Sequence, residues 1–314
     1  MPTAPLPAHL KLRRANGKAP HKPVLLLAVL KAIEQGVITE NRIEPTADLI
    51  NLFNGYWKVL VPEGTFQRRF FLPFYHLGSD VSGIWKVHAL PGFDAAMTKS
   101  RSPKSLSSLI HFGVWAELRE DVYLRWQRPE NTSYDRLELI RGYFPGAAMP
   151  EALPDHLRDL EYQMMHLTRE EYVAAQLQLP VDEEEEEQLL RSNAFKRTIP
   201  RVYDHQCAIT GLRIKNKDRM HLIDACHIVP WADSYDDTVG NGIALSPTMH
   251  RAFDRGLITI AHDHTVLVSP QLQEAESAHA IRPFAGKRLI LPQEERYMPA
   301  QENLAWHRRR WGYL

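Results

Sequence analysis

Cysteine is almost absent from this chain. There are two in 314 residues, Cys207 and Cys226, and they form no CxxC pair. That argues against a cysteine-built zinc knuckle and points to a reduced, cytoplasmic protein. Long apolar runs are also missing: none reaches the roughly 18 residues a membrane helix needs. The opening "MPTAPLPAHLKLRR" has no apolar core of an export signal. There is no internal repeat. Net charge is absent too, with 38 Lys and Arg against 38 Asp and Glu, which at first argues against a nucleic-acid partner.

The distribution of charge reverses that inference. Residues 1–150 carry 19 Lys and Arg against 13 Asp and Glu, residues 151–190 carry 2 against 12, and residues 191–314 carry 17 against 13. Two mildly basic blocks flank an acidic connector. The acid is concentrated in "DEEEEE", Asp182 to Glu187, which reads as a solvated linker or an exposed helix start.

The length suits two domains, and the local patterns predict an α+β protein. "HKPVLLLAVLKAIEQG" reads as a helix with Pro23 in its first turn and Gly36 at its stop. It is apolar all round from Val24 to Leu30, so it should be central. "EPTADLINLFNGYWKVL" shows the i, i+3, i+4, i+7 pattern of a second helix. "FFLPFYHLGSDVSGIWKVHAL" is aromatic, is interrupted between Gly78 and Gly83, and reads as a β-hairpin. Helical stretches are expected near Leu106–Leu118 and Tyr134–Arg141. These elements give a mostly helical N-terminal domain over residues 1–150. A helical acidic linker follows over 151–195, and a further domain over 196–314.

In the last domain, "DACHIVPWADSYDDTVGNGIALSPTMHRAFDRG" places His227 at the end of an extended run and Asn241 at the end of an Asp-rich loop. His250 and Asp254 lie four apart on a helix and so share a face. Pro247 suits that helix's first turn and Gly256 its C-cap. An imidazole and a carboxylate on one face form half a site for one divalent metal ion such as Mg, Mn, Ni or Zn. A hairpin is expected in "LITIAHDHTVLVSP", with His262 and His264 in its exposed turn.

The words "CAITG", "DACHIVPW" and "NGIALSPTMHRAFDRGLITI", over Cys207–Ser269, resemble the restriction-enzyme branch of the HNH nucleases, of ββα-metal fold. The tail "LAWHRRRW" is similar to that branch's C-terminal extension. The resemblance implies that His227 is the general base, that His250 and Asp254 hold one divalent metal, and that Asn241 braces the loop behind the base. It implies products with 5′-phosphate and 3′-hydroxyl ends. One departure is Cys226, where many members carry a metal-ligating Asp or His. Asp224 lies three residues before His227 and on the opposite face of a regular strand. Unless a bulge redirects it to the metal, it is an orienting carboxylate. Both roles stay open. Cys226 reads as a small buried residue.

"APHKPVLLLAVL", "PFYHL…GIWKV" and "GYFPGAAMP" resemble the sulfur-binding domain of type IV restriction enzymes, over about residues 10–155. That implies recognition of phosphorothioate in double-stranded DNA. Sulfur is larger, softer and less hydrated than oxygen, so an apolar cup can accept it and reject a solvated oxygen. Phe144, Pro145 and Ala148 would form the cup. His21 and Lys22 would contact the same phosphate, although Lys22 stands where arginine is common. Arg13, Arg14, Lys18, Arg68 and Arg69 are candidate backbone contacts. The expected function is a modification-dependent endonuclease. The alternatives are an HNH enzyme that reads unmodified or base-modified DNA, and a DNA-binding regulator with an inactive nuclease half. One metal handles one strand, so a double-strand break implies a homodimer or two enzymes on neighbouring sites. The sequence does not choose between these.

Overall fold

A computed structural model describes residues 7–14, 19–92, 105–176, 184–216, 220–277 and 280–313. Lys18 and the first two residues of the DEEEEE run, Asp182 and Glu183, lie outside the described residues. The chain divides into two compact units. One is Met1–Leu157 with Pro180–Leu190, and the other is Arg158–Leu179 with Arg191–Leu314.

In the first unit, helix α1 (His21–Glu34) is the core. Every residue from Val24 to Leu30 is fully buried, as its all-round apolar sequence predicts. Burial of each Leu or Val there stabilises by about 1.5–3 kcal/mol. Gly36 takes φ +70° just past its end, a left-handed turn that a glycine makes without strain. Helix α2 (Ala47–Leu60) packs on α1 and is capped by Thr46, whose hydroxyl accepts the Leu49 N–H.

The expected hairpin at Phe70–Leu90 is not formed. Its first half is helix α3 (Phe71–His76), and its second half is strand β1 (Trp85–His88). Phe70, Phe74 and Leu77 are all fully buried. Their 4- and 3-residue spacing is a helical period that the aromatic richness disguised. β1 pairs antiparallel with β2 (Trp115–Leu118), beyond helix α4 (Leu106–His111). The helix expected over Leu106–Leu118 therefore stops at His111. Gly113 turns the chain at φ +56°, and Val114, Ala116 and Leu118 are buried at the period of two proper to a strand. Helices α5 (Glu120–Trp126) and α6 (Pro129–Tyr143) complete the sequence up to the connector. Buried Asp135 accepts two bonds from Arg125 and one from Trp126, and lies 3.0 Å from His9.

Helices α7 (His156–His166), α8 (Arg169–Gln176) and α9 (Glu184–Val202) follow. The acidic first turns of α9 are not a solvated linker. Glu186 and Glu187 are only 7% and 8% exposed. Glu186 accepts the Phe70 N–H at the start of α3, and Glu185 accepts the Ser107 N–H at the start of α4. Glu187 binds His156. Carboxylates are stabilised at helix N-termini, where backbone N–H groups lack partners.

The second unit contains strand β3 (Asp224–His227), the short helix α10 (Trp231–Ser234), strand β4 (Gly242–Leu245) and helix α11 (Pro247–Asp254). β3 and β4 pair antiparallel, Asp224 opposite Leu245 and His227 opposite Gly242. Helix α11 packs on both strands, giving a ββα unit. Gly256 ends α11 at φ +65°. The expected hairpin after it is formed by β5 (Ile258–Ile260) and β6 (Val266–Val268), and helix α12 (Gln301–Arg310) packs on β5.

Candidate active site

The β3–β4 ladder delivers His227 at its last pair. There the partner is Gly242, where a Cβ would collide with Ile199 and press on Phe195. Glycine therefore lets α9 approach, and the Phe195 ring stacks on the His227 imidazole at 3.8 Å and 3°. His227 Nε2 lies 2.8 Å from Asp237 Oδ1. The other oxygen of Asp237 accepts from Arg191 at 2.7 Å and from the Tyr172 hydroxyl at 3.2 Å. This ion pair is buried, with the Arg191 and Asp237 side chains 8% and 3% exposed. Burial and Asp237 both push the Tyr172 phenol up, so it stays a neutral donor.

Asn241 is completely buried. Its side chain accepts the Val229 N–H and donates to the carbonyls of Val229 and Asp236, while its own carbonyl accepts the Ile228 N–H. It ties the strand end after His227 to the loop that carries Asp237.

Asp224 reaches His250 without a bulge, because the ladder is regular and α11 covers that face of β3. Asp224 Oδ2 is 3.1 Å from His250 Nδ1, and His250 Nε2 is 3.4 Å from Asp254 Oδ2. When Nδ1–H is donated to Asp224, the Nε2 lone pair faces an acceptor-only carboxylate with no proton between them. That donor set fits a cation. The Cys226 thiol sits 3.7 Å from Asp254 Oδ1, and burial, Asp254 and Asp224 hold its pKa well above the usual range. One ligand atom each from Cys226, His250 and Asp254 lies within 4.8 Å of the others. Without a cation the thiol donates to Asp254.

His227, His250 and Asp254 open into one cleft of about 500 Å³, also lined by Trp231, Trp306, Arg310 and Trp311. His262 is exposed in the β5–β6 turn, while His264 lies 3.0 Å from Gln301 Nε2. Asp237, Arg191 and Tyr172 were not singled out by the sequence. The only signal was a cluster of aspartates in the loop after the base candidate.

Residues 207–261 match the family model described as HNH endonuclease. The chain thus carries an HNH endonuclease domain. Among solved structures, a chain titled "Modification dependent TagI restriction endonuclease" is similar at 20% identity. The match covers 37% of this chain and 36% of that one, with a TM-score of 0.28. No curated protein matches.

In the first unit the candidate contacts take several partners. His21 Nε2 donates to the Gln67 carbonyl at 2.9 Å, and its ring lies 4.7 Å from Trp57 and 6.1 Å from Phe66. Burial lowers its pKa, so it is a neutral donor. Lys22 binds Asp80 at 2.6 Å and the Arg13 carbonyl at 3.0 Å, so any phosphate must share its ammonium with Asp80. The Arg14 guanidinium lies over the Tyr143 ring at 4.8 Å. Arg69 donates to Gln67, and Arg68 lies 3.8 Å from Glu186. Of the cup candidates, Pro145 and Ala148 are exposed, whereas Phe144 is buried in the unit. No helix among the described residues is long and apolar enough to cross a membrane.

Proposed function

We propose that this protein is a metal-dependent DNA endonuclease whose first unit directs it to phosphorothioated DNA. The observation that carries the nuclease part is one cleft holding His227, His250 and Asp254, with Asp237 on the far nitrogen of His227. Asp237 fixes the tautomer: Nε2 carries the proton and Nδ1 is left to accept one. A water that gives its proton to Nδ1 attacks phosphorus, the P–O3′ bond breaks with its electron pair leaving on O3′, and that oxygen takes a proton from solvent water. The products are a 5′-phosphate and a 3′-hydroxyl. Phe195 and Asn241 keep the imidazole and its loop in place throughout. His250 Nε2 and Asp254 would hold one divalent cation, which when bound would stabilise charge on the phosphate and the leaving oxygen. Asp224 orients His250 from behind, the role a carboxylate usually has beside a metal-binding histidine.

Exposed Pro145 and Ala148 follow Tyr143, which holds the Arg14 guanidinium over its ring and accepts the Leu12 N–H, and this supports the sulfur reading. A small apolar surface accepts sulfur at little cost and leaves oxygen desolvated, worth about 1–3 kcal/mol of preference. Two other readings remain distinct. One is an HNH enzyme that reads unmodified or base-modified DNA, and the other is a DNA-binding regulator that does not cut. The assembled cleft disfavours the regulator. Plasmids with and without phosphorothioate, each incubated with Mg and with Mn, separate the three. Cutting of sulfur-modified plasmid alone supports the proposal. Cutting of both supports the second reading, and binding without cutting in either metal leaves the third.

A further inference from the structure

Helix α12 and the residue after it read "WHRRRW", Trp306 to Trp311, and these side chains serve two tasks. His307 is 3% exposed and stacks on Phe253 of α11 at 3.7 Å. Its Nε2–H donates to the Phe253 carbonyl, and its Nδ1 accepts from the Thr259 hydroxyl. Arg308 donates to the Ile260 carbonyl at 2.7 Å. Tyr313 donates to the Gly256 carbonyl, and Trp311 packs where a Cβ on Gly256 would stand. These contacts fasten α12 to the helix that carries His250 and Asp254. Trp306 and Arg310 line the cleft, and so does the remaining 40% exposed surface of Trp311, over whose ring the exposed Arg310 guanidinium lies at 5.9 Å.

We infer that α12 is the wall that grips the DNA strand being cut. Arg310 contacts a backbone phosphate next to the scissile one, and Trp306 and Trp311 pack on the adjoining sugar or base. The chemistry matches the occupant. A guanidinium binds phosphate through two parallel N–H groups, and indole faces stack on nucleotides whatever their sequence. The anchoring explains why such a grip would be precise. The wall is fixed to the same helix as the cation site, so phosphate and cation keep one spacing. This inference rests on the endonuclease reading for its substrate.

The test uses the full chain carrying His227→Ala, so that binding is measured without cutting, with chelator present and a labelled unmodified duplex as probe. Dissociation constants are taken across a series of KCl concentrations for that protein and for versions adding Arg310→Ala, Arg310→Lys or Lys287→Ala. Lys287 is an exposed cation of the same unit outside the cleft. Arg310→Ala is expected to weaken binding about tenfold and to lower the slope of log affinity against log salt by about 1. Arg310→Lys should restore the slope but not the whole affinity, and Lys287→Ala should change neither. An unchanged slope for Arg310→Ala, or an equal loss with Lys287→Ala, overturns the inference. Plasmid cutting by the unmutated protein is scored in parallel. If it cuts and Arg310 has no effect, the wall fails and the nuclease stands. If it does not cut while Arg310 sets the slope, the reverse holds.

Discussion

At His227 the two ring nitrogens are unequal, because Asp237 Oδ1 lies 2.8 Å from Nε2 and an ionised carboxylate only accepts. Asp237→Asn keeps the size but removes the charge that fixes the tautomer. Cleavage under single turnover should fall by about 10²–10⁴-fold, while the affinity for duplex stays as it was; equal losses in both would deny Asp237 its positioning role. Asp237→Ala is a poorer probe. It strands the buried Arg191 and should cost about 3–5 kcal/mol of stability. A second residue-scale test concerns His307, whose pKa burial lowers to about 4. An unfolded histidine titrates near 6.5, so between those values the unfolded chain binds the extra proton. Stability is unaffected above about pH 6.5 and is lost as pH falls toward 4, at about 1.4 kcal/mol per pKa unit. Thermal unfolding between about pH 7 and pH 4 should show a steeper decline for the wild type than for His307→Gln. Parallel curves would show that His307 is not the group responsible. His227, Asn241, His250 and Asp254 were legible in the sequence because their spacing reflects strand, loop and helix in one short segment. Asp237, Arg191 and Tyr172 were not. Their meeting spans 46 and 65 residues of chain and depends on how α8 and α9 pack, which no local pattern encodes.

The elements show the same division between local and distant causes. Helices α1 and α11 were readable from a proline in the first turn and a glycine just past the end, and α2 from its apolar period. The β1–β2 pairing was hidden because its partners are separated by α4 and by a long connection. The supposed hairpin turn at Gly78–Gly83 is instead a 3-10 turn over Leu77–Ser79, continuing α3, and then a turn in which the Gly83 N–H reaches the Asp80 carbonyl ahead of β1. Glycine is diagnostic where an element must come close to another. At Gly242 φ is an ordinary −119°, so the need is for space, not for conformation. Gly242→Ala drives a methyl into Ile199 and against Phe195. Overpacking of this kind costs about 1–3 kcal/mol. It should also displace Phe195 from His227, so cleavage should fall even where the variant is still folded. A chemical denaturation curve beside a cleavage assay checks both. Full activity in a destabilised variant would mean that the Phe195 stack does not position the imidazole.

For the whole molecule, a net charge of zero conceals opposed blocks, and the structure assigns part of the acid a local task. Glu185 and Glu186 cap helices within the first unit, so they are structural charges of that unit and not a free tail. The candidate cup and the candidate cutting site then lie in separate compact units, and changes at one should add to changes at the other with little coupling. Asp254→Asn removes half of the proposed cation bite. It should abolish cutting in Mg and Mn and leave the preference for phosphorothioated duplex intact in a binding titration. Ala148→Glu should do the opposite. Ala148 is exposed, so the carboxylate should cost little stability, yet it would set a negative charge against the DNA phosphate at the proposed cup. The ratio of affinities for modified over unmodified duplex should drop toward one, a loss of about 1–3 kcal/mol. Cutting of whatever DNA is bound should keep its metal dependence. An undiminished ratio in Ala148→Glu, with Pro145→Glu equally silent, would place recognition elsewhere in the first unit and leave the chemistry of the second untouched.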